Sequence, residues 1–219
     1  MEADLVVPIK RLDRAKSRLR GAVGGAHADL VLALLVDTVT AALEAEGVRR
    51  VLVVCEDDRV PPALRGTGAE CVEERGLSGL NAALSYGAGV LRERNRRGVV
   101  GALQADLPAL RPKELAEAVA IAAGRRAYCA DRPGTGTTLL LAAAGDALRP
   151  SFGPGSAAAH AASGAVAVGA GLDSLRCDVD TAADLAVAAE LGLGTKTAPL
   201  AGGTRKLTGR YGPESPIGP

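Results

Sequence analysis

A single α/β domain with a mostly parallel central sheet is the fold that this sequence of 219 residues predicts. Apolar runs such as Arg50–Cys55 and Val99–Gln104 lack helical periodicity, as buried strands of parallel sheets do. Helical patterns alternate with these runs, which is typical of doubly wound α/β folds. Neither a repeat nor a linker interrupts residues 1–194, so we expect one domain there and a poorly ordered, Gly- and Pro-rich tail at 195–219.

The strands are expected to number about seven, each a short apolar run that ends in a turn. Those that can be located are Asp4–Ile9, Arg50–Cys55, Glu70–Glu73, Val99–Gln104, Tyr128–Ala130 and an apolar run that ends at Leu141.

The helices are expected where apolar stripes and capping residues occur together. The longest has its leucines and valines on one stripe and is ended by Gly47, and the last is capped by Asp180 or Thr181. The predicted helices are Asp29–Glu46, Pro61–Leu64, Leu80–Arg94, Pro112–Ala123, Ala157–Ser163 and one that ends near Gly192.

The composition excludes several function classes. A net charge of +1 argues against a nucleic-acid-coating surface, and one Phe, three Tyr and no Trp leave few platforms for stacking bases. No apolar run approaches the ~20 residues that cross a membrane, and the acidic Met1–Asp4 is no signal peptide. The four cysteines are widely spaced, which indicates buried free thiols in a cytoplasmic protein.

Asp106 follows the strand Val99–Gln104, and Pro108 ends that strand because proline cannot donate to a ladder. Ligands of open α/β sheets lie outside the carboxyl ends of the strands, so Asp106 is a candidate metal or substrate ligand. The alternative is a turn residue that hydrogen-bonds its own backbone. Position alone does not decide between the two.

The segment Lys10–Arg20 follows the first strand and holds six basic residues in eleven. The loop after this strand is the usual phosphate site of a doubly wound fold, but here it lacks a Gly-rich phosphate-binding pattern. Side chains such as Lys10, Lys16 and Arg18 would therefore hold the phosphates. The alternative is a solvated helix face, because Lys10, Arg14 and Arg18 recur at helical spacing.

The segment Arg75–Leu84 places small residues at the start of a helix. Gly76 and Gly79 permit a ligand to approach the backbone closely, and Asn81 would then contact a ribose or a base edge. The alternative is an ordinary helix start, with Ser78 as the cap and Asn81 facing solvent.

Two turns in the C-terminal half, Gly134–Thr138 and Phe152–Ser156, offer hydroxyls and backbone N–H groups. Both suit a small anion, although the second is also a helix-cap signal. Asp178 precedes the residues that cap the last helix, so its carboxylate is free for another role. His160 lies on an alanine-rich helix face and is expected to pack or to face solvent.

The chemistry that this inventory permits is narrow. The sequence has two histidines and no nucleophile or zinc motif of the G-x-S-x-G or H-E-x-x-H kind. The carboxylates of Asp106 and Asp178 suit Mg²⁺, which binds one or two acids together with waters and phosphates. These residues indicate phosphoryl or nucleotidyl transfer, in which positioning and charge neutralisation supply the catalysis.

Six motifs in order resemble one family, the phosphoenolpyruvate or 2-phospho-L-lactate guanylyltransferases of coenzyme F-420 biosynthesis. The resemblance covers about residues 4 to 194 and rests on Val7–Lys10 with Ala15–Leu19, Gly79–Leu84, Ala105–Leu110, Gly134–Leu139, Phe152–Ala157 and Cys177–Thr181.

The resemblance implies a three-layer, GT-A-like nucleotidyltransferase fold. It also implies transfer of GMP from GTP to the phosphate of a small acid, with release of pyrophosphate. The acid would be phosphoenolpyruvate, 2-phospho-L-lactate or 3-phosphoglycerate, and we expect phosphoenolpyruvate because the composition is that of high-G+C bacterial members.

The resemblance also implies roles for individual residues. Asp106 and Asp178 match the magnesium ligands of the family, and we count both as catalytic. Thr138, Gly153 and Ser156 match the positions that hold the phospho-acid.

On the nucleotide side, basic residues would relieve the repulsion between two polyanionic substrates, and Lys16 is counted as catalytic for this reason. Because aromatics are few, guanine must be read by polar groups, for which the turn Leu77–Asn81 is the candidate. Two features depart from the family pattern: Gly21–Ala28 lacks an expected basic residue, and Arg75 replaces an acid-leaning turn. The predicted nucleotide-binding residues are Lys10, Lys16, Arg18, Gly79 and Asn81.

Two other functions are compatible with the fold class. A nucleotide-sugar glycosyltransferase would need a second acid two residues after Asp106, where Pro108 stands. A non-catalytic nucleotide-binding protein would give no reason for Asp178 to be free beside a capping Asp180.

Overall fold

The structure, a computed structural model, describes residues 2–13, 15–19, 26–74 and 76–202. Seven strands lie in these residues and form one sheet. They are β1 (Ala3–Ile9), β2 (Val48–Cys55), β3 (Glu70–Glu73), β4 (Val99–Leu103), β5 (Ala127–Ala130), β6 (Thr137–Leu141) and β7 (Val166–Ala167).

The strand order is β3-β2-β1-β4-β6-β5-β7. Strands β1 to β4 are mutually parallel, and β5 is parallel to β7, whereas β6 is antiparallel to both β4 and β5. The predicted mostly parallel sheet is therefore confirmed. Because β6 runs against β4, the turn before β6 lies at the same sheet edge as the carboxyl end of β4.

The described residues also form one 3₁₀ helix, Ser17–Leu19, and α-helices that cover both faces of the sheet. The α-helices are α1 (His27–Glu44), α2 (Val60–Ala63), α3 (Leu80–Arg94), α4 (Pro112–Ala122), α5 (Ser156–Ala162), α6 (Ala182–Leu191) and α7 (Ala198–Ala201).

Two apolar cores divide these helices into layers. On one face, α1 and α4 pack on the sheet through residues such as Leu35 and Leu115. On the other face, α3 packs through Leu84 and Leu91 against Val6 and its neighbours. The domain is thus a three-layer α/β structure, as the sequence predicts.

The approach of α3 to the sheet is close at Gly87. A Cβ at this position would lie 2.6 Å from Val6 Cγ1 and 2.7 Å from Val54 Cγ2. Helix α3 can therefore lie this close to β1 and β2 only because glycine has no side chain.

A third apolar cluster lies beneath the segments that the sequence assigns to catalysis. It joins Leu19, Leu30 and Leu34 to Ala109, and adds Val179 with other residues of the C-terminal half. This cluster fixes the turn after β1, the turn after β4 and the segment before α6 relative to one another.

Residues 195–202 of the expected tail pack against the domain. The carboxylate of Asp37, in α1, accepts hydrogen bonds from the backbone N–H groups of Lys196 at 3.0 Å and Thr197 at 2.7 Å. Thr197 is fully buried, and α7 follows it. Packed structure thus continues to the end of the described chain, and residues 203–219 lie outside it.

No helix in the described ranges is both long and apolar enough to span a bilayer.

Candidate active site

The turn that carries Asp106 is fixed by backbone hydrogen bonds on both sides. The N–H of Leu107 donates to the buried hydroxyl of Thr38 at 2.9 Å, and the carbonyl of Asp106 accepts from the N–H of Val179 at 3.0 Å. Asp106 itself is only 7% exposed. Its side chain is therefore held at the carboxyl end of β4, where the sequence predicts a ligand.

Asp178 lies beside this turn because Val179 is bonded to it. Helix α6 is capped by Thr181, whose hydroxyl accepts from the N–H of Asp184, while the Asp184 carboxylate accepts from the N–H of Thr181. Of the two capping residues that the sequence allows, Thr181 is the one used. The carboxylates of Asp178 and Asp180 take no part in this capping box.

Burial and neighbouring charges shift the pKa values of Asp178 and Lys16. Burial, followed by the negative charge of Asp106, raises the pKa of Asp178 to about 7, against the partial opposition of Lys16. Burial alone would lower the pKa of Lys16, but the carboxylates of Asp106 and Asp180 outweigh it and raise that pKa above its usual value. Lys16 is thus a permanent cation among three acids.

Lys16 forms ion pairs with both Asp106 and Asp180. Its backbone is in the left-handed region, with φ of 51°, and its carbonyl bonds to His27 Nε2 at 2.8 Å. A left-handed turn at a non-glycine residue costs free energy, so the bond from His27 helps to hold it. His27 consequently has a structural role that the sequence does not indicate.

The basic residues predicted to hold phosphates surround one cavity of about 460 Å³. The cavity lies at the carboxyl ends of β1 and β4, and Asp106 and Asp180 form part of its wall. Among its lining residues are Lys10, Lys16, Arg18, Leu80 and Gln104. Residues 10–19 are not a continuous helix in the described part, so the solvated helix face is not the arrangement found. Arg14, Arg75 and residues 20–25, which bear on the predicted nucleotide side, lie outside the described residues.

The residues predicted to hold the phospho-acid lie on a neighbouring part of the same sheet edge. The turn before β6 is held by Asp131, which accepts from the N–H groups of Thr135 and Gly136 at 2.8 Å each. It is linked to α5 because Ala157 N–H donates to the Thr135 carbonyl at 3.1 Å. The structure thus brings the two predicted anion-binding turns together.

Within these turns, the predicted residues differ in exposure. Gly153 is exposed with φ of 138°, and Ser156 is the buried first residue of α5. Thr138 is fully buried, and its hydroxyl points to the Cys129 carbonyl at 3.5 Å, whereas its own carbonyl accepts from Gln104 N–H at 2.9 Å. Among the described residues, Thr138, Gly153 and Ser156 do not line the basic cavity.

Asn81 makes a contact that the sequence does not indicate. Gly79, with φ of 92°, is the residue before α3 and no side chain caps the helix. The amide of Asn81, which is half-buried, bonds to the backbone of Phe152, so the arrangement with Ser78 as the cap is not the one found.

His160 is packed, which is one of the two positions that the sequence allows. It is fully buried, its Nδ1 lies 2.9 Å from Thr137 Oγ1, and its Nε2 accepts from Ser151 N–H at 3.0 Å. Burial, followed by the charge of Arg126, lowers its pKa to about 4. Both histidines are therefore engaged in structure and neither is placed as a general base.

The carboxylates of Asp106 and Asp178 fit a magnesium ion. Asp106 Oδ1 is buried and receives no hydrogen bond from the described residues, while Lys16 pairs with Oδ2 of the same carboxylate. Burial first, and then the negative charge of Asp106, raises the pKa of Asp178. In the described part of the chain no group of three or more His, Cys, Asp or Glu forms a metal cluster. Mg²⁺ needs none, because waters and phosphate oxygens complete its coordination beside one or two carboxylates.

Three residues of the site were missed from the sequence. Asp180 pairs with Lys16 instead of capping α6, Asp131 holds the turn before β6, and Arg176 donates to the Ala130 and Asp131 carbonyls. Asp131 had a usable signal, since an acid that starts a Gly- and Thr-rich turn commonly bonds the following N–H groups. The other two depend on contacts between distant segments.

Known proteins match nearly the whole length of the chain. The family described as "Guanylyl transferase CofC like" matches residues 3–199. A phosphoenolpyruvate guanylyltransferase of Salinispora arenicola is 51% identical over 210 residues, which cover 94% of this chain and 96% of that one. A protein of the same name from Streptomyces scabiei is 49% identical over 92% of this chain and 96% of its own.

Solved structures show the same fold at low identity. A nucleotidyl transferase from Methanothermobacter has a TM-score of 0.57 at 18% identity and covers 87% of this chain and 97% of its own. A 4-diphosphocytidyl-2C-methyl-D-erythritol synthase has a TM-score of 0.61 at 15% identity, with 87% and 98% covered. The fold is that of the nucleotidyltransferases, and the chain belongs to the CofC-like guanylyl transferase family.

Proposed function

We propose that this protein transfers GMP from GTP to the phosphate group of phosphoenolpyruvate and releases pyrophosphate. The observation that carries the proposal is the cavity at the carboxyl ends of β1 and β4, where Lys10, Lys16 and Arg18 adjoin Asp106. The family relationship supplies the donor class, and the names of relatives at about half identity supply the acceptor.

The reaction exchanges one phosphoanhydride bond for another. An oxygen of the acceptor phosphate attacks the α-phosphorus of GTP, and the bond from this phosphorus to the bridging oxygen breaks as pyrophosphate leaves. The second pKa of a phosphate monoester is about 6, so the acceptor is mostly dianionic at pH 7 and needs no general base. This agrees with the engagement of His27 and His160 in structural hydrogen bonds.

The main obstacle is then the repulsion between two polyanions. In the proposed mechanism Lys10, Lys16 and Arg18 offset the charge of the triphosphate, as preorganised cations do in phosphoryl transfer. Lys16 is suited to this task because its pKa is raised and its ammonium stays charged. The turns at Gly134–Thr138 and Phe152–Ser156 would hold the acid on the other side of Asp106.

Asp106 and Asp178 would hold Mg²⁺, which would neutralise charge on the phosphate oxygens. The buried Asp106 oxygen without a hydrogen bond, and the mutual repulsion of the two carboxylates, support this assignment. We place the reaction in the biosynthesis of coenzyme F-420 and in the cytoplasm.

The test is an assay of pyrophosphate release with GTP and Mg²⁺, in which each acid is supplied in turn. We expect release with phosphoenolpyruvate, and little with ATP or CTP in place of GTP. Faster release with 2-phospho-L-lactate or 3-phosphoglycerate would change the acceptor but keep the reaction. Release only with a sugar 1-phosphate, or none at all, would refute the proposal.

A further inference from the structure

Asn81, in the first turn of α3, makes two hydrogen bonds to the main chain of one distant residue. Its Nδ2 donates to the Phe152 carbonyl at 3.0 Å, and its Oδ1 accepts from the Phe152 N–H at 2.8 Å. The two bonds fix the orientation of the amide. In the flipped orientation its NH₂ group would face the Phe152 N–H and its oxygen would face the Phe152 carbonyl. Both polar groups of Phe152 are thus paired by a single side chain.

The segment after Phe152 needs such an anchor. Gly153 and Gly155 both have positive φ, at 138° and 75°, and glycines of this kind have many conformations available to them. The segment reaches Ser156, the first residue of α5. Gly153 and Ser156 are the residues to which we assign the phospho-acid, so the position of Phe152 sets where this anion-binding loop begins.

A second set of contacts fixes the other side of Phe152. The N–H of Ser151 donates to His160 Nε2 at 3.0 Å, and the Phe152 ring meets the His160 ring edge-on at 5.1 Å. His160 anchors the loop to α5, whereas Asn81 anchors it to α3. The anchor on α3 crosses from one proposed substrate side to the other, because Leu80, its neighbour, lines the basic cavity.

We infer that Asn81 is a positioning residue for the phospho-acid and does not bind the nucleotide. It acts through Phe152, whose main chain it holds so that the loop presents the N–H groups of Gly153 and Gly155 and the hydroxyl of Ser156 to the anion. This inference rests on the proposed function. It assigns to the acid side a residue that the sequence pattern places on the nucleotide side.

The inference is tested with Asn81→Ala and Asn81→Asp, by steady-state pyrophosphate release with each substrate varied in turn. Alanine removes both bonds. Aspartate keeps the size and the bond from Phe152 N–H, but it sets a carboxylate oxygen against the Phe152 carbonyl. We expect both variants to raise the KM for phosphoenolpyruvate about tenfold or more and to change the KM for GTP less than about twofold.

Asn95→Ala is the matched control. Asn95 follows the other end of α3, and its Oδ1 accepts from Gly98 N–H at 3.1 Å, so this variant also loses an amide bond to the main chain. Both KM values should stay at their wild-type level. The melting temperature and the hydrogen exchange of the Phe152 amide are measured on every variant. Exchange should be faster in Asn81→Ala, which loses the bond from Phe152 N–H, than in Asn81→Asp, which keeps it, or in Asn95→Ala.

The KM values and melting temperatures of the Asn81 variants decide between the possible roles of this residue. A raised KM for GTP with an unchanged KM for the acid would overturn the inference and place Asn81 at the nucleotide. A lowered melting temperature with both KM values unchanged would also overturn it, because the role would then be structural alone. If the wild type releases no pyrophosphate from GTP with any of the three acids, it is the proposed function that fails.

Discussion

The backbone N–H of Val179 donates to the carbonyl of Asp106 at 3.0 Å. This bond joins the turn after β4 to the segment before α6, and Asp178 is the residue just before Val179. The two carboxylates assigned to the metal are therefore linked through main chain, and the apolar cluster that contains Val179 and Ala109 lies beneath them. Their proximity is built into the fold and does not depend on the flexible reach of their side chains.

Ser156→Ala should raise the KM for phosphoenolpyruvate and leave the KM for GTP unchanged. Ser156 is the first residue of α5, and its N–H donates to the Gly153 carbonyl at 3.1 Å, which sets its hydroxyl at the proposed acid-binding loop. A hydrogen bond to a charged group contributes about 1.5–3 kcal/mol, so we expect a rise of roughly ten- to a hundredfold. Initial rates of pyrophosphate release measure it.

The matched control for this substitution is Ser85→Ala, in which an exposed serine of α3 is removed. It should leave both KM values unchanged. An equal rise of both KM values in Ser156→Ala would contradict the role of Ser156, because loss of a residue that contacts only the acid should not weaken GTP binding to the same extent.

His160 should make the protein less stable as the pH falls from neutral. Its pKa is about 4 in the folded protein, against an ordinary value of 6.5, because it is buried and then because Arg126 is near. The unfolded chain therefore binds a proton first. The contribution of His160 to the free energy of unfolding is complete above pH 6.5. It is lost as the pH falls towards 4, by roughly 3 kcal/mol over this window.

Urea unfolding between pH 7.5 and 4.5 measures this effect. His160→Gln lowers stability at every pH, because the bonds to Ser151 and Thr137 are weakened. Between pH 6.5 and 4.5 its stability should fall less steeply than that of the wild type, or rise more steeply, because Asp178, whose pKa is raised to about 7, acts in the opposite direction in both proteins. An unchanged slope in the variant would show that another group is responsible.

Two glycines of α3 should respond in opposite directions to alanine. At Gly87 the new Cβ would lie 2.6 Å from Val6 Cγ1, so the helix or the strand must move. Overpacking of this kind costs about 1–3 kcal/mol, which exceeds the ~1 kcal/mol that alanine gains over glycine in a helix. At Gly89 nothing lies within 4 Å, so the helix propensity alone counts.

Thermal unfolding of Gly87→Ala and Gly89→Ala provides the comparison. We expect a lower melting temperature for the first and a higher one for the second. If both variants are more stable than the wild type, the packing of α3 on β1 and β2 is looser than the structure indicates.

Local patterns predicted most of the fold. The bounds of α3 and β3 agree with those read from the sequence, because Gly79 directly precedes α3 and acidic residues form both ends of β3. The two-residue strand β7 is too short to produce a periodic signal, and its place depends on pairing with β5. The antiparallel direction of β6 also follows from tertiary pairing, which a sequence pattern does not encode.

The candidate site divides in the same way. Asp106 and Asp178 were predicted from their positions relative to a strand end and a helix cap, and these are local features. The contacts of Asn81 and Asp180 are not visible in local patterns, because their partners, Phe152 and Lys16, are far away in the chain. A polar residue near a helix end has several local partners to choose from, and only the packed structure selects a distant one.

Asp106→Asn and Asp178→Asn test the central claim most directly. Asparagine keeps the size of each side chain but replaces the charged carboxylate with a neutral amide that has a single oxygen, so each variant should bind Mg²⁺ much more weakly. The fold should tolerate both changes. In particular, Asp178→Asn removes a repulsion with Asp106, so its melting temperature should equal or exceed that of the wild type.

The decisive measurement is the rate at which these two variants release pyrophosphate from GTP in the presence of phosphoenolpyruvate and Mg²⁺, under conditions in which both are folded like the wild type. We expect the rate to fall to background in both, as it should when the wild type is treated with a chelator. Turnover near the wild-type rate in either variant would contradict the assignment of Asp106 and Asp178 to the metal that joins the two substrates.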